Sequence, residues 1–173
     1  MSKYNKKLSY GANNTVIALD DYFVAKIYEG DTRSDIGSEA EKMKYANKIN
    51  DLVVKFERLD YDTTNNWDML VMERIYPLDF RGIDVEKRQL ILSVFIDELK
   101  QLHTNGFVHR DICRPSNIPG EKFDNIMLTK EGLRLIDVGI SAIKEQVGDK
   151  LFEKYVENEL AEVKIFEEYF INR

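Results

Sequence analysis

The polar and apolar positions divide the chain into two halves of different character. In the first half the apolar residues fall into short runs rich in β-branched and aromatic side chains, at 8–11, 15–19 and 23–28, which predict strands. Asp20-Asp21 is placed to turn the second run into the third. A helix is predicted over 31–50. Asp31, Ser34 and Asp35 offer capping oxygens there, and Ile36, Ala40, Met43, Ala46 and Ile49 form a stripe at helical spacing. Strand character returns at 52–59 and 67–75, with Asn65-Asn66 as the turn between them.

The second half is mostly helical. Positions 90, 91, 92, 94, 95, 96, 99 and 102 make the stretch 85–104 apolar almost all round, the pattern of a buried central helix. Two short runs at 126–129 and 133–136, with the turn Lys130-Glu131-Gly132 between them, predict a hairpin. From 149 to 172, Leu151, Phe152, Tyr155, Val156, Leu160, Val163, Phe166 and Phe170 recur at helical spacing. The connector at 74–78 carries neither glycine nor serine, so it reads as a hinge rather than a free linker. Ligand clefts are common where two such halves meet.

Composition narrows the function classes. With 173 residues the chain can bury a sizeable core, and 43% hydrophobic with 32% charged residues is ordinary for a globular protein. A net charge of -6 lacks the basic footprint that nucleic-acid binding needs. Cys113 is the lone cysteine, which excludes an internal disulfide and fits a reducing cytoplasmic compartment. No signal peptide and no membrane span is expected.

The chemistry concentrates in two short motifs. His109-Arg110-Asp111 follows the apolar helix, Asp137-Val138-Gly139 follows the second hairpin strand, and Asn125 lies between them. Either triplet alone occurs by chance. Their order, with Gly132 at the turn, resembles the catalytic region of the eukaryotic-type protein kinase superfamily, through LHTNGFVHRDI, DNIMLTKEGLRLIDVG and, upstream, FVAKIY and MLVMER.

The resemblance covers about residues 8–141 and implies an α+β, two-lobed kinase-like fold. Its N-lobe (1–72) is an antiparallel sheet with one helix, its hinge is 73–78, and its C-lobe (79–173) is much reduced and mainly helical. The cofactors implied are ATP and Mg²⁺. Phosphoryl transfer is mainly a matter of positioning and charge neutralisation, and the residues take their implied roles from that need. Lys26 holds the α- and β-phosphates, and Glu39, with Glu41 as the alternative, holds Lys26. Asp111 takes or orients the proton of the attacking hydroxyl. Asn125, with Asn117 as the alternative, and Asp137 ligate metal. Gly11 belongs to the phosphate-covering loop, and Met72 is the gatekeeper. Backbone groups of Glu73 and Ile75 meet the adenine edge, and Val16, Val24 and Leu128 sandwich the ring. His109 and His103 are expected to be packed structural residues, and Cys113 a filler.

The sequence departs from that family at three places. Ser9 and Asn14 stand where the phosphate loop has glycines. The step from Asp111 to Asn125 is enlarged by an insertion over 114–123, and Cys113 replaces the lysine expected two after the catalytic aspartate, with Arg114 or Lys122 as substitutes for its charge. After Gly139 there is no Ala-Pro-Glu and no long activation segment, so Arg110 lacks its usual phosphate partner. The pattern resembles that of the smallest atypical kinases and of certain bacterial or viral effector kinases, and the expected location is cytoplasmic, in the host cytosol if the chain is an effector or viral protein. The expected activity is protein serine/threonine phosphorylation, including of itself, with a protein substrate or an activating protein partner. A pseudokinase binding module is the alternative, and a small-molecule kinase ranks third because little chain remains to build an acceptor pocket.

Overall fold

The computed structural model describes residues 6–10, 15–28, 35–118 and 120–173. Five strands form an antiparallel sheet: β1 (Lys6–Tyr10), β2 (Thr15–Ala18), β3 (Phe23–Tyr28), β4 (Phe56–Asp62) and β5 (Trp67–Glu73), in the order β1-β2-β3-β5-β4. The Asp20 carboxylate makes the β2–β3 turn by accepting from the Tyr22 and Phe23 amides, each at 2.7 Å. Asn66 closes the β4–β5 turn at φ 58°, a backbone region in which asparagine is enriched.

Alternation along β3 decides which side chains can reach the rest of the molecule. Val24 and Tyr28 join the main core, whereas Ala25 and Ile27 join a separate cluster with Ile17, Met69 and Val71 on the other face. Lys26 lies between Val24 and Tyr28 in a strand of period two, so it shares their face. Against that face packs α1 (Ile36–Asn47), started by Asp35, whose carboxylate accepts from the Gly37 and Ser38 amides. Of the three predicted caps, Asp31 and Ser34 lie outside the described residues. The buried positions of α1 are Glu39, Ala40, Met43 and Ala46, so a glutamate sits on its inner stripe.

The helical half is centred on α2 (Val85–Thr104), which buries Leu92, Phe95, Leu99 and Leu102. It is not buried all round, as its composition predicts: Leu90 is 70% exposed and Val94 57%. These two occupy one side of the helix, an i, i+4 pair that nothing covers among the described residues. The strand predicted from 52 begins instead at Phe56. Leu52, Val53 and Val54 are buried because Val53 bridges Leu135, and the Leu52 carbonyl and Val54 amide bond the Leu135 backbone.

Two antiparallel strand pairs, of which the second is a hairpin, contact α2. β6 (Phe107–Val108) pairs with β9 (Ala142–Ile143), and β7 (Ile126–Thr129) pairs with β8 (Gly132–Leu135). β6 and β9 are two residues each and leave no periodic signal to read. A short helix α3 (Lys144–Val147) then leads into α4 (Asp149–Asn172). Phe166 and Phe170 of α4 pack on Phe95, Phe123 and Phe80, with ring centroids 5.0–5.8 Å apart. One continuous core therefore runs from the inner face of the sheet to α4. None of the helices among the described residues is long and apolar enough to cross a membrane.

Candidate active site

Lys26 is the meeting point of three elements. Its Nζ donates to both oxygens of Glu39 on α1, at 2.9 and 3.0 Å, and to Oδ1 of Asp137 just beyond β8, at 3.0 Å. Lys26 and Glu39 are almost fully buried, whereas the Asp137 side chain is half open to solvent. Burial pulls the Lys26 ammonium down, but the charges of Asp137 and Glu39 outweigh it and hold it above its ordinary value. Burial pushes Asp137 up, and the Lys26 charge overcomes this and holds it below the usual carboxylate range. The Tyr28 hydroxyl donates to the second Glu39 oxygen. Burial and the Glu39 charge drive that phenol well above its ordinary value, so it stays a donor. Glu41, the alternative partner, is exposed.

Asp111 and Asn125 form the second part of the site. The Asn125 Nδ2 donates to Asp111 Oδ2 at 2.8 Å and to the Asp111 carbonyl at 3.0 Å. The Asn125 carbonyl accepts from the Ile136 amide at 3.0 Å, extending the β7–β8 ladder by one residue and setting Asn125 beside the residue preceding Asp137. Asn117, the alternative, is exposed. Burial raises Asp111 above the usual carboxylate range, against the opposing pull of His109. His109 is fully buried; its Nε2 meets the Ile136 carbonyl at 2.9 Å, and its Nδ1 accepts from the Asp111 amide at 3.3 Å. The Ser141 hydroxyl donates to the His109 carbonyl. Arg110 and Asp137 both have positive φ, 70° and 57°, so the backbone is held in a sparsely populated conformation at both motifs.

The apolar candidates line one face. Val16 pairs with Lys26 and Val24 with Met72 in register, and Val16, Val24, Met72, Ile75 and Leu128 all belong to or pack on the main core. The Leu128 carbonyl accepts from the Leu78 amide at 2.7 Å, fastening the 74–78 connector to β7. Only part of the Glu73 backbone is available to a ligand, because its amide donates to the Lys55 carbonyl at 2.9 Å. Its carboxylate accepts from the Lys55 amide and pairs with Arg134. Gly11 lies outside the described residues. A cavity of about 830 Å³ is lined by Glu73, Ile75, Leu78, Leu90 and Arg134, but not by Lys26, Asp111 or Asp137. It opens along the connector and the bare side of α2, and it is not the place where the charged groups converge.

Sequence reasoning does not find the carboxylates of α4. Glu159 is 1% exposed and takes His103 Nε2 at 2.9 Å, the His109 amide at 3.3 Å and the Arg110 amide. Its place on an otherwise apolar helix face is the signal that could have found it. Lys42 also reaches the site, donating to the Gly139 carbonyl at 2.7 Å. Arg110 packs its guanidinium 3.8 Å from the Tyr155 ring centre and donates to the Ile140 carbonyl, so α4 and the backbone supply its contacts. Within the predicted insertion, the Arg114 amide donates to the Lys122 carbonyl at 2.7 Å, closing the loop, and the Arg114 side chain pairs with Asp124. Burial raises the Cys113 thiol above its ordinary value, away from the reactive thiolate form.

No protein-family model and no curated protein matches the chain by sequence. Among solved structures it is similar to the kinase PK-1 of Cydia pomonella granulovirus, with a TM-score of 0.58 and 19% identity. The fold is kinase-like. The similarity covers 81% of this chain and 52% of the viral kinase chain, so this chain spans about half the length of that protein.

Proposed function

We propose that the protein is a two-lobed, ATP- and Mg²⁺-dependent phosphotransferase, with lobes at 1–72 and 79–173 and a hinge at 73–78, acting on serine or threonine hydroxyls of proteins, itself included. The observation that supports this most is Lys26 held between Glu39 and Asp137, which ties the sheet half to the helical half at one ammonium. The Asp111–Asn125 pair stands on the same side of β7 and β8 as Asp137.

The donor set suits magnesium. Among the described residues no group of three acidic, histidine or cysteine side chains could enclose a metal. Mg²⁺ does not need such a cage, since it keeps waters and substrate phosphates in its shell and takes one or two protein oxygens. Asp137 and the amide oxygen of Asn125 would hold it; both described hydrogen bonds of the Asn125 side chain run from Nδ2. Bound there, the ion supplies neutralisation of phosphate charge. Lys26 then orients the phosphates, with Glu39 and Tyr28 fixing its position. Asp111 accepts a hydrogen bond from the acceptor hydroxyl and takes its proton as that oxygen attacks the γ-phosphorus and the bond from this phosphorus to the departing ADP breaks. Burial raises its proton affinity, the direction that favours a proton acceptor. The adenine would lie among Val16, Val24, Met72 and Leu128, with the Glu73 carbonyl and the Ile75 backbone at its edge.

The lone, partly buried Cys113 fits work in a reducing cytosol, that of a host if the chain is an effector or viral protein.

A binding module without turnover is the second reading. It draws support from the direct Lys26–Asp137 contact, which engages with each other the two groups assigned to phosphate and to metal. Intact-mass spectrometry of the purified protein with Mg-ATP, with and without cell lysate, tests the first reading. Added phosphate on the protein or on lysate proteins supports it. If no phosphate appears while Mg-ATP still raises the melting temperature, the second reading stands.

A further inference from the structure

The catalytic loop is held from the C-terminal helix by two carboxylates one turn apart. Glu159 Oε1 and Oε2 accept from the His109 and Arg110 amides, the two that precede Asp111. Glu162 Oε2 accepts from the Cys113 amide at 3.2 Å. Residues three apart on a helix lie on the same face, so one side of α4 presents both groups to the loop. Asp111 thus lies between the His109 and Arg110 amides, fixed by Glu159, and the Cys113 amide, fixed by Glu162.

We propose that Glu162 is a positioning residue for Asp111, fixing the backbone on its C-terminal side as Glu159 fixes it on the N-terminal side. The proposal rests on the reading of Asp111 as the group that meets the acceptor hydroxyl. Three observations point to a purpose beyond packing. Glu162 is half-buried, and burial raises its proton affinity, so placing a carboxylate there costs stability that an apolar side chain would not. Its neighbours on α4 that serve the core, Val163 and Phe166, are apolar. Arg110 holds a positive φ, a conformation that persists only where the surroundings over-determine it, and the amides bound by α4 are on both sides of the residue it aims.

Among the described residues Glu162 contacts none of the groups assigned to nucleotide, so its loss acts on turnover rather than on ATP affinity. The test compares the full-length wild type with Glu162→Gln, which keeps an acceptor oxygen, and Glu162→Leu, which keeps the volume and removes the acceptor. The expected result for Glu162→Leu is a fall in kcat of about tenfold or more, the loss of a hydrogen bond to a charged group, with KM for ATP unchanged. Glu162→Gln restores most of it. Amide hydrogen exchange is measured on the same three proteins without nucleotide. In Glu162→Leu the amide of Cys113 should exchange about tenfold faster or more, while those of β3 and β5 keep their wild-type rates. Unchanged exchange at the Cys113 amide in Glu162→Leu overturns the proposal, as does faster exchange there with unaltered kcat. A uniform rise in exchange across the chain overturns it too, by showing a merely structural role. If wild type itself shows no transfer, the reading of Asp111 fails on its own, and the exchange rates still decide whether Glu162 holds the loop.

Discussion

The Lys26 ammonium lies 3.0 Å from the Asp137 carboxylate, although the two residues are 111 positions apart in sequence. The same ammonium is 2.9 Å from Glu39, so three segments of unlike structure depend on one cation. Removing that cation affects the fold as well as any chemistry, because Glu39 would be left buried with a negative charge.

Lys26→Met should therefore lower stability by about 3 kcal/mol, the cost of breaking a buried pair from one side. The double change Lys26→Met with Glu39→Leu should be clearly more stable than the single one, since no charge is then left unpaired. Urea denaturation of the three proteins checks this, and a double variant no more stable than Lys26→Met contradicts it. The loss of transfer expected for Lys26 variants must accordingly be judged on protein shown to be folded.

Asp111→Asn should leave the fold intact, because an amide oxygen can still accept from Asn125 Nδ2, which lies 2.8 Å away in the wild type. It should lower kcat by roughly 10²–10⁴, the range expected for losing a positioned proton acceptor. Steady-state kinetics alongside melting temperatures test the pair of expectations. Full activity in a folded Asp111→Asn protein removes Asp111 from the mechanism.

Much of this arrangement can be read in the chain because it is periodic or clustered. The period of two in β3 puts Lys26 on the face of Val24 and Tyr28, and Glu39 and Met43 share a helix face by spacing alone. What is hidden has a physical reason in each case. β6 and β9 are too short to show a period. Leu52–Val54 carries strand composition, yet it is spent on a bridge to Leu135 rather than on the sheet. The apolar ring of α2 exceeds what the core covers, leaving Leu90 and Val94 bare. Glu162 looks like an ordinary surface charge in a sequence, and only the fold of the 109–113 loop against α4 makes it a partner.

Acid should weaken the Lys26–Asp137 link. The Asp137 carboxyl is held below its ordinary value of 3.8 in the folded protein. A carboxylate with a depressed folded value contributes stability that is present above the unfolded value and is lost as pH falls through the folded one. The expectation is a loss of stability below about pH 4 in wild type that is smaller in Asp137→Asn. Melting temperatures of the two proteins from pH 7 to pH 2.5 check it. Because Asp137 is half open to water, the difference should shrink in high salt.

The most direct measurement is transfer of the labelled γ-phosphate of Mg-ATP by wild type and Asp137→Asn side by side, with the protein itself and a mixed serine/threonine protein acceptor present. The account predicts incorporation by wild type and background label with a folded Asp137→Asn protein. Equal label in the two, or none from wild type with no rise in its melting temperature on adding Mg-ATP, would contradict it.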